Sequence, residues 1–169
     1  MARPDLNKVQ PFYHKYIALV EENELASAFK RYTFETIAFF KNIPTKKIDF
    51  RYAEGKWSIK EVLQHMIDAE RVFSLRALWL ARKDVSPQPG FDENLWAENA
   101  NTSARSWEDL MEEFETVRRS SIQLFNSFGQ EELDVSGIVN DAPAYVLGIG
   151  FLLIGHSLHH QKIIGERYL

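Results

Sequence analysis

Four stretches of this chain carry apolar residues at intervals of three and four, and no stretch reads as an alternating strand. Residues spaced that way lie on one face of an α-helix, one turn above another. Leu25, Phe29, Tyr32, Thr36 and Phe40 form the first stripe, within a helix expected over about 22–42 and stopped by Pro44. Ile59, Val62, Leu63, Met66, Phe73, Ala77 and Leu80 form the second, over 58–82. Leu110, Phe114, Val117, Ser121, Leu124, Phe125 and Phe128 form the third, over 107–128. Ile149, Leu152, Leu153 and Ile163 form the fourth, over 143–166. Each helix has one face to bury, and four such faces satisfy one another in an all-α four-helix bundle. Residues 1–20 read as an arm or short helix packed on that bundle.

Start and stop signals agree with the stripes. Ser58-Ile59-Lys60-Glu61 is a capping box, in which serine and glutamate satisfy each other's backbone N–H groups. Ser106 precedes two acids in the first turn of the third helix, and Gly129 follows its end. Asp141-Ala142-Pro143 reads as an N-cap followed by proline in the first turn of the last helix. Residues 83–105 hold Pro87, Pro89, Gly90 and several Asn and Asp, and make one long crossing loop. Loops of that length in a compact fold are usually functional or mobile. Phe91, Leu95 and Trp96 would anchor this one, so a lid over 84–100 at the mouth of a site is expected.

The 169 residues suit one domain with a real core. Net charge is −4 with the two signs interspersed, which leaves no basic footprint for nucleic acid and no polybasic patch for a membrane surface. No apolar run approaches the roughly 20 residues of a membrane span, and the N-terminus lacks the apolar stretch of a signal peptide. A cytoplasmic protein acting on a small molecule is the expectation. The chain has no cysteine, which restricts any metal site to His, Asp, Glu and water.

Three of the five histidines fall in Gly155-His156-Ser157-Leu158-His159-His160-Gln161. His156 and His160 share the apolar face of the last helix, about 40° apart around its axis. Two inward imidazoles one turn apart can clamp a divalent metal or sit as hydrogen-bonded core histidines, and H-x3-H by itself decides neither. His65, on the border of the second helix's apolar face, adds weight to the metal. His159 lies about 60° from His156 on the other side and reads as an indirect support or a structural residue. His14 reads as a surface residue. Glu70, in the middle of an apolar face, reads as half of a buried ion pair with Arg76 or Arg118. Asp68 and Glu70 are the catalytic candidates, as orienters of His65 or as a general base. The alternative for Asp68 is exposure to solvent, and for Arg76 and Arg118 a structural role across the bundle.

Lys56-Trp57-Ser58-Ile59-Lys60-Glu61-Val62-Leu63-x-His65-x-Ile67-Asp68-x-Glu70, followed by Gly155-His156-x-x-His159-His160 and Glu166-Arg167-Tyr168, resembles the DinB-like superfamily. Arg76, Pro89-Gly90-Phe91-Asp92 and Arg118 fit the same pattern. That superfamily includes metal-dependent hydrolases of YfiT type and bacillithiol- and mycothiol-dependent transferases. The resemblance implies a four-helix bundle of DinB/YfiT type, a divalent metal held at the positions of His65, His156 and His160, and often a homodimer. The donor set suits zinc or nickel, with iron or manganese as alternatives. It implies a hydrolase, or an S-transferase in which a low-molecular-weight thiol is cosubstrate; a non-enzymatic metal- or ligand-binding bundle is the alternative.

Overall fold

The computed structural model describes residues 3–169. A short helix α1 (Pro11–Ile17) precedes the first long helix, α2 (Leu25–Lys41). The chain continues through α3 (Ile59–Ala81), α4 (Glu93–Asn99), α5 (Trp107–Asn126), α6 (Gln130–Asp134), a hairpin of β1 (Ser136–Val139) and β2 (Ala142–Tyr145), and α7 (Val146–Arg167). The four long helices α2, α3, α5 and α7 form a bundle. α3 packs between α5 and α7, and α2 fills the opposite gap between the same two neighbours. Successive long helices α2 and α3 are therefore diagonal partners, as are α5 and α7.

Local chemistry sets the helix ends. Ser58 Oγ accepts from the Glu61 N–H at 3.2 Å while Glu61 Oε2 accepts from the Ser58 N–H at 2.7 Å, which completes the capping box. Ser106 Oγ accepts from the Asp109 N–H at 3.0 Å. Asp92 caps α4, taking the Asn94 and Leu95 N–H groups at 2.9 and 3.0 Å.

The last long helix starts later than its cap signal suggests. Residues 142–145 are extended and pair with 136–139, Val139 facing Ala142. Asn140 and Asp141 form the two-residue turn with φ of 50° and 58°. Paired left-handed residues match the twist of a hairpin, and Asn and Asp tolerate them best among non-glycine residues. Pro143 thus lies in a strand rather than a helical first turn, and Asp141 is a turn residue rather than an N-cap. α2 likewise begins at Leu25 rather than near residue 22.

The interior has two apolar clusters with a polar layer between them. One gathers α1 with the N-terminal half of α7 and the C-terminal ends of α3 and α5. The other gathers Phe40, the N-terminal halves of α3 and α5, Ile164 and Tyr168. Each long helix changes cluster at the same level and puts polar residues there: Thr36 on α2, Glu70 on α3, Arg118 and Ser121 on α5, Ser157 on α7, all buried. Arg118 grips both Glu70 carboxylate oxygens, at 2.8 and 2.9 Å, and donates to Ser157 Oγ at 2.8 Å. A buried guanidinium needs such a set of acceptors, since an unpaired buried charge is strongly unfavourable.

Candidate metal centre

His65 stands on α3 five residues before Glu70, and His156 precedes Ser157 on α7. The ion pair that locks α3, α5 and α7 together therefore also holds these two histidines facing each other. His65 Nε2 lies 3.2 Å from His156 Nε2, and His160 Nε2 lies 3.0 Å from the same atom. One nitrogen from each ring falls within 4.8 Å of the others. The Nε2 of His156 carries either one proton or one lone pair, so it makes one good hydrogen bond and not two. A cation accepts all three lone pairs at once. Nitrogens sharing an ion at about 2.1 Å stand ~3.0–3.4 Å apart, according to coordination number. The three side chains fit a divalent ion by spacing and by donor type.

Their electrostatics fit as well. Burial is the largest cause in lowering His65 to about 4, and it also holds His156 and His160 well below the usual imidazole value. No carboxylate contributes to any of these shifts, so nothing favours the imidazolium. Neutral rings with free lone pairs are what metal ligation requires. Trp57 packs on His65 with ring centroids 4.8 Å apart, and Phe73 meets His156 edge-on at 5.6 Å. Tyr168 on the C-terminal side of α7 donates its hydroxyl to the Trp57 carbonyl at 2.8 Å, which fixes that wall.

A cavity of about 240 Å³ opens above the imidazoles. Its walls are Tyr13 and Tyr16 of α1, Ala69, Phe73 and Arg76 of α3, Phe91 and Glu93 of the crossing loop, and Asn140 of the hairpin turn. His159 faces it too, packed edge-on against Tyr16 at 4.8 Å and outside the three-nitrogen cluster. The crossing loop reaches the cavity through Phe91 and Glu93, while Leu95 and Trp96 are 55% and 42% exposed and are not the buried anchors expected. Trp96 instead packs on Phe91 with centroids 4.6 Å apart and the ring planes tilted by 40°.

The other sequence candidates lie elsewhere. Glu70 is 2% exposed and committed to Arg118. Asp68 accepts from Gln64 at 3.0 Å and borders a separate surface depression beside Trp96 and Arg105; burial pushes its carboxyl up. Neither lines the histidine cavity. His14 is half-buried rather than a surface residue, its Nε2 2.9 Å from the Val9 carbonyl oxygen. Tyr13, Glu93 and Asn140 were not singled out from the sequence. Only a turn reading of Asn140-Asp141 and a cap reading of Asp92 would have pointed toward two of them.

The model of the DinB superfamily matches residues 28–164, which spans both helices that carry the histidines. The chain belongs to the DinB superfamily. Among curated proteins, none matches it. Among solved structures it is similar to YfiT from Bacillus subtilis, described as a probable metal-dependent hydrolase with an unusual four-helix bundle topology. That likeness covers 98% of this chain and 91% of the other, with a TM-score of 0.68 and 15% sequence identity. At that identity it is a likeness of fold.

Proposed function

We propose that the protein is a metal-dependent enzyme, a hydrolase or a low-molecular-weight-thiol S-transferase, with a divalent ion held by His65, His156 and His160. The observation that carries it is His156 Nε2 facing the Nε2 atoms of both His65 and His160 on the floor of an open cavity. Among the described residues no fourth His, Asp or Glu joins the cluster. Structural metal sites are closed by protein ligands, whereas reactive ones keep a position free. When bound, such an ion lowers the pKa of a coordinated water or thiol and polarises a carbonyl oxygen.

The chain's own residues supply the surroundings. Trp57, Tyr16 and Phe73 exclude water from the imidazole edges, and the Glu70–Arg118 pair keeps α3 and α7 in register behind them. Tyr13 and Tyr16, whose hydroxyls burial pushes up, stay protonated and serve as neutral donors at the cavity wall. His159 supports the rim through Tyr16 and is not a ligand. Zinc or nickel suits three imidazoles best, with iron or manganese next. A cytoplasmic setting and a small-molecule substrate complete the reading.

Elemental analysis of untagged protein and of four single variants, dialysed together, tests it. Wild type should hold about one ion per chain, with His65→Ala, His156→Ala and His160→Ala losing at least ~10-fold in affinity, and His159→Ala keeping it. Metal lost from His159→Ala but kept in His160→Ala overturns the assignment. Turnover of electrophilic esters, amides or thiol–electrophile pairs by loaded protein, absent from His160→Ala, then separates an enzyme from a binding bundle.

A further inference from the structure

Arg76 is 7% exposed and lines the histidine cavity, yet among the described residues no carboxylate lies within 4.0 Å of its guanidinium. The other enclosed arginine, Arg118, is neutralised by Glu70. Buried charges are normally paired, because desolvation is costly unless an opposite charge offsets it. The Arg76 guanidinium donates from Nη2 to the Pro89 carbonyl oxygen at 2.9 Å, and its Cζ stands 5.9 Å from the Phe91 ring centroid. These contacts aim the group without cancelling its charge. Tyr13, from α1, hydrogen-bonds beside it, and Asn140, from the hairpin turn, lines the same cavity.

We propose that Arg76, with Tyr13 and Asn140, forms a subsite for a carboxylate on the substrate, which rests on the metal-dependent function proposed above. His65, Ala69, Phe73 and Arg76 line one face of α3, and the eleven helical steps from His65 to Arg76 span about 16 Å. The substrate is therefore elongated, with its reacting group at the imidazoles and its carboxylate at Arg76. A monoanion suits the subsite better than a phosphate dianion, because a single guanidinium serves it and the Glu93 carboxylate lines the same cavity. The planar fork of arginine matches a carboxylate through two parallel hydrogen bonds.

NMR titration with hexanoate and with hexanamide, which has the same shape without charge, tests the subsite. Wild type should prefer hexanoate by about tenfold, the usual worth of a hydrogen bond to a charged group. The preference should vanish in Arg76→Met and survive in His160→Ala. No preference in wild type overturns the proposal. So does a preference that survives Arg76→Met and vanishes in His160→Ala, which would put the carboxylate on the metal and leave the metal function standing. An Arg76-dependent preference in protein that binds no metal sustains the subsite and rejects the metal function instead. Should Arg76→Met not fold, the exposed Glu93→Gln reads the same charge from the rim: hexanoate should tighten about twofold with hexanamide unchanged, and equal effects on both overturn the proposal.

Discussion

Arg118 is the largest side chain fully enclosed among the described residues, and it sits where an apolar residue would be expected. Its carboxylate partner, Glu70, comes from α3, and its hydroxyl partner, Ser157, comes from α7 next to His156. Removing one member leaves a buried charge alone. Arg118→Met or Glu70→Gln should each destabilise the fold by about 3–5 kcal/mol. The double variant Glu70→Leu/Arg118→Met should lose much less than the sum, since neither charge is then stranded. Urea midpoints of the two singles and the double measure this, and additive losses would show that the pair does not act as a unit. Metal affinity should fall in the singles as well, because α3 and α7 carry the facing imidazoles.

At the scale of elements, α7 is set by what packs against it rather than by its own propensity. A Cβ built on Gly155 would stand 2.5 Å from the carbonyl carbon of Tyr16, with the Tyr16 oxygen closer still. Backbone cannot give way as a flexible side chain can, so α1 reaches α7 only over a glycine. Gly155→Ala should cost about 1–3 kcal/mol, the usual penalty of overpacking. It should also displace Tyr13 and Tyr16 from the cavity wall. A thermal melt reads the first effect, and the His159 ring signals, packed on Tyr16, read the second. Gly165, with open space where a Cβ would stand, should accept alanine with little change or a gain, since glycine is a poor helix former. The hairpin and α4 close the other side of the cavity, and each delivers one polar residue to it, Asn140 and Glu93.

Across the whole molecule, three buried neutral histidines couple stability to pH. In the unfolded chain they take up protons near 6.5; in the fold His65 does so only near 4, and His156 and His160 are also held far down by burial. Between those values the unfolded state binds more protons. Stability of the metal-free protein is therefore full above about 6.5 and is lost as pH falls toward 4. Urea midpoints at pH 7 and pH 5 should differ in that direction, and the difference should shrink in a variant with glutamine at all three positions. Bound metal should steepen the dependence, because protons compete for the same lone pairs. Phe12 exposes apolar surface at the histidine cavity, and Leu95 and Trp96 do so at the separate depression beside Asp68. A homodimer is expected, and light scattering at micromolar concentration should return twice the chain mass.

Helical period and capping chemistry are local, and they were readable residue by residue: the stripes of α2, α3 and α5, the box at Ser58 and the cap at Ser106. The DinB resemblance and the facing of His156 and His160 along one helix were readable for the same reason, since residues four apart on a helix meet whatever the rest of the chain does. The hairpin was missed because four-residue strands show too little alternation, and a turn signal at Asn140-Asp141 competes with an equally plausible cap. What the tertiary structure alone decided is who meets whom across the bundle. Glu70 found Arg118 because α3 and α5 are neighbours at that level, while Arg76, six residues along the same helix, points about 120° away from Glu70. Arg76 was left lining the cavity with no carboxylate partner among the described residues, and Glu93 rather than Asp68 reached the rim. Each outcome depends on helix azimuth and on the diagonal order of the bundle, and those are fixed by the packing of all four apolar faces at once.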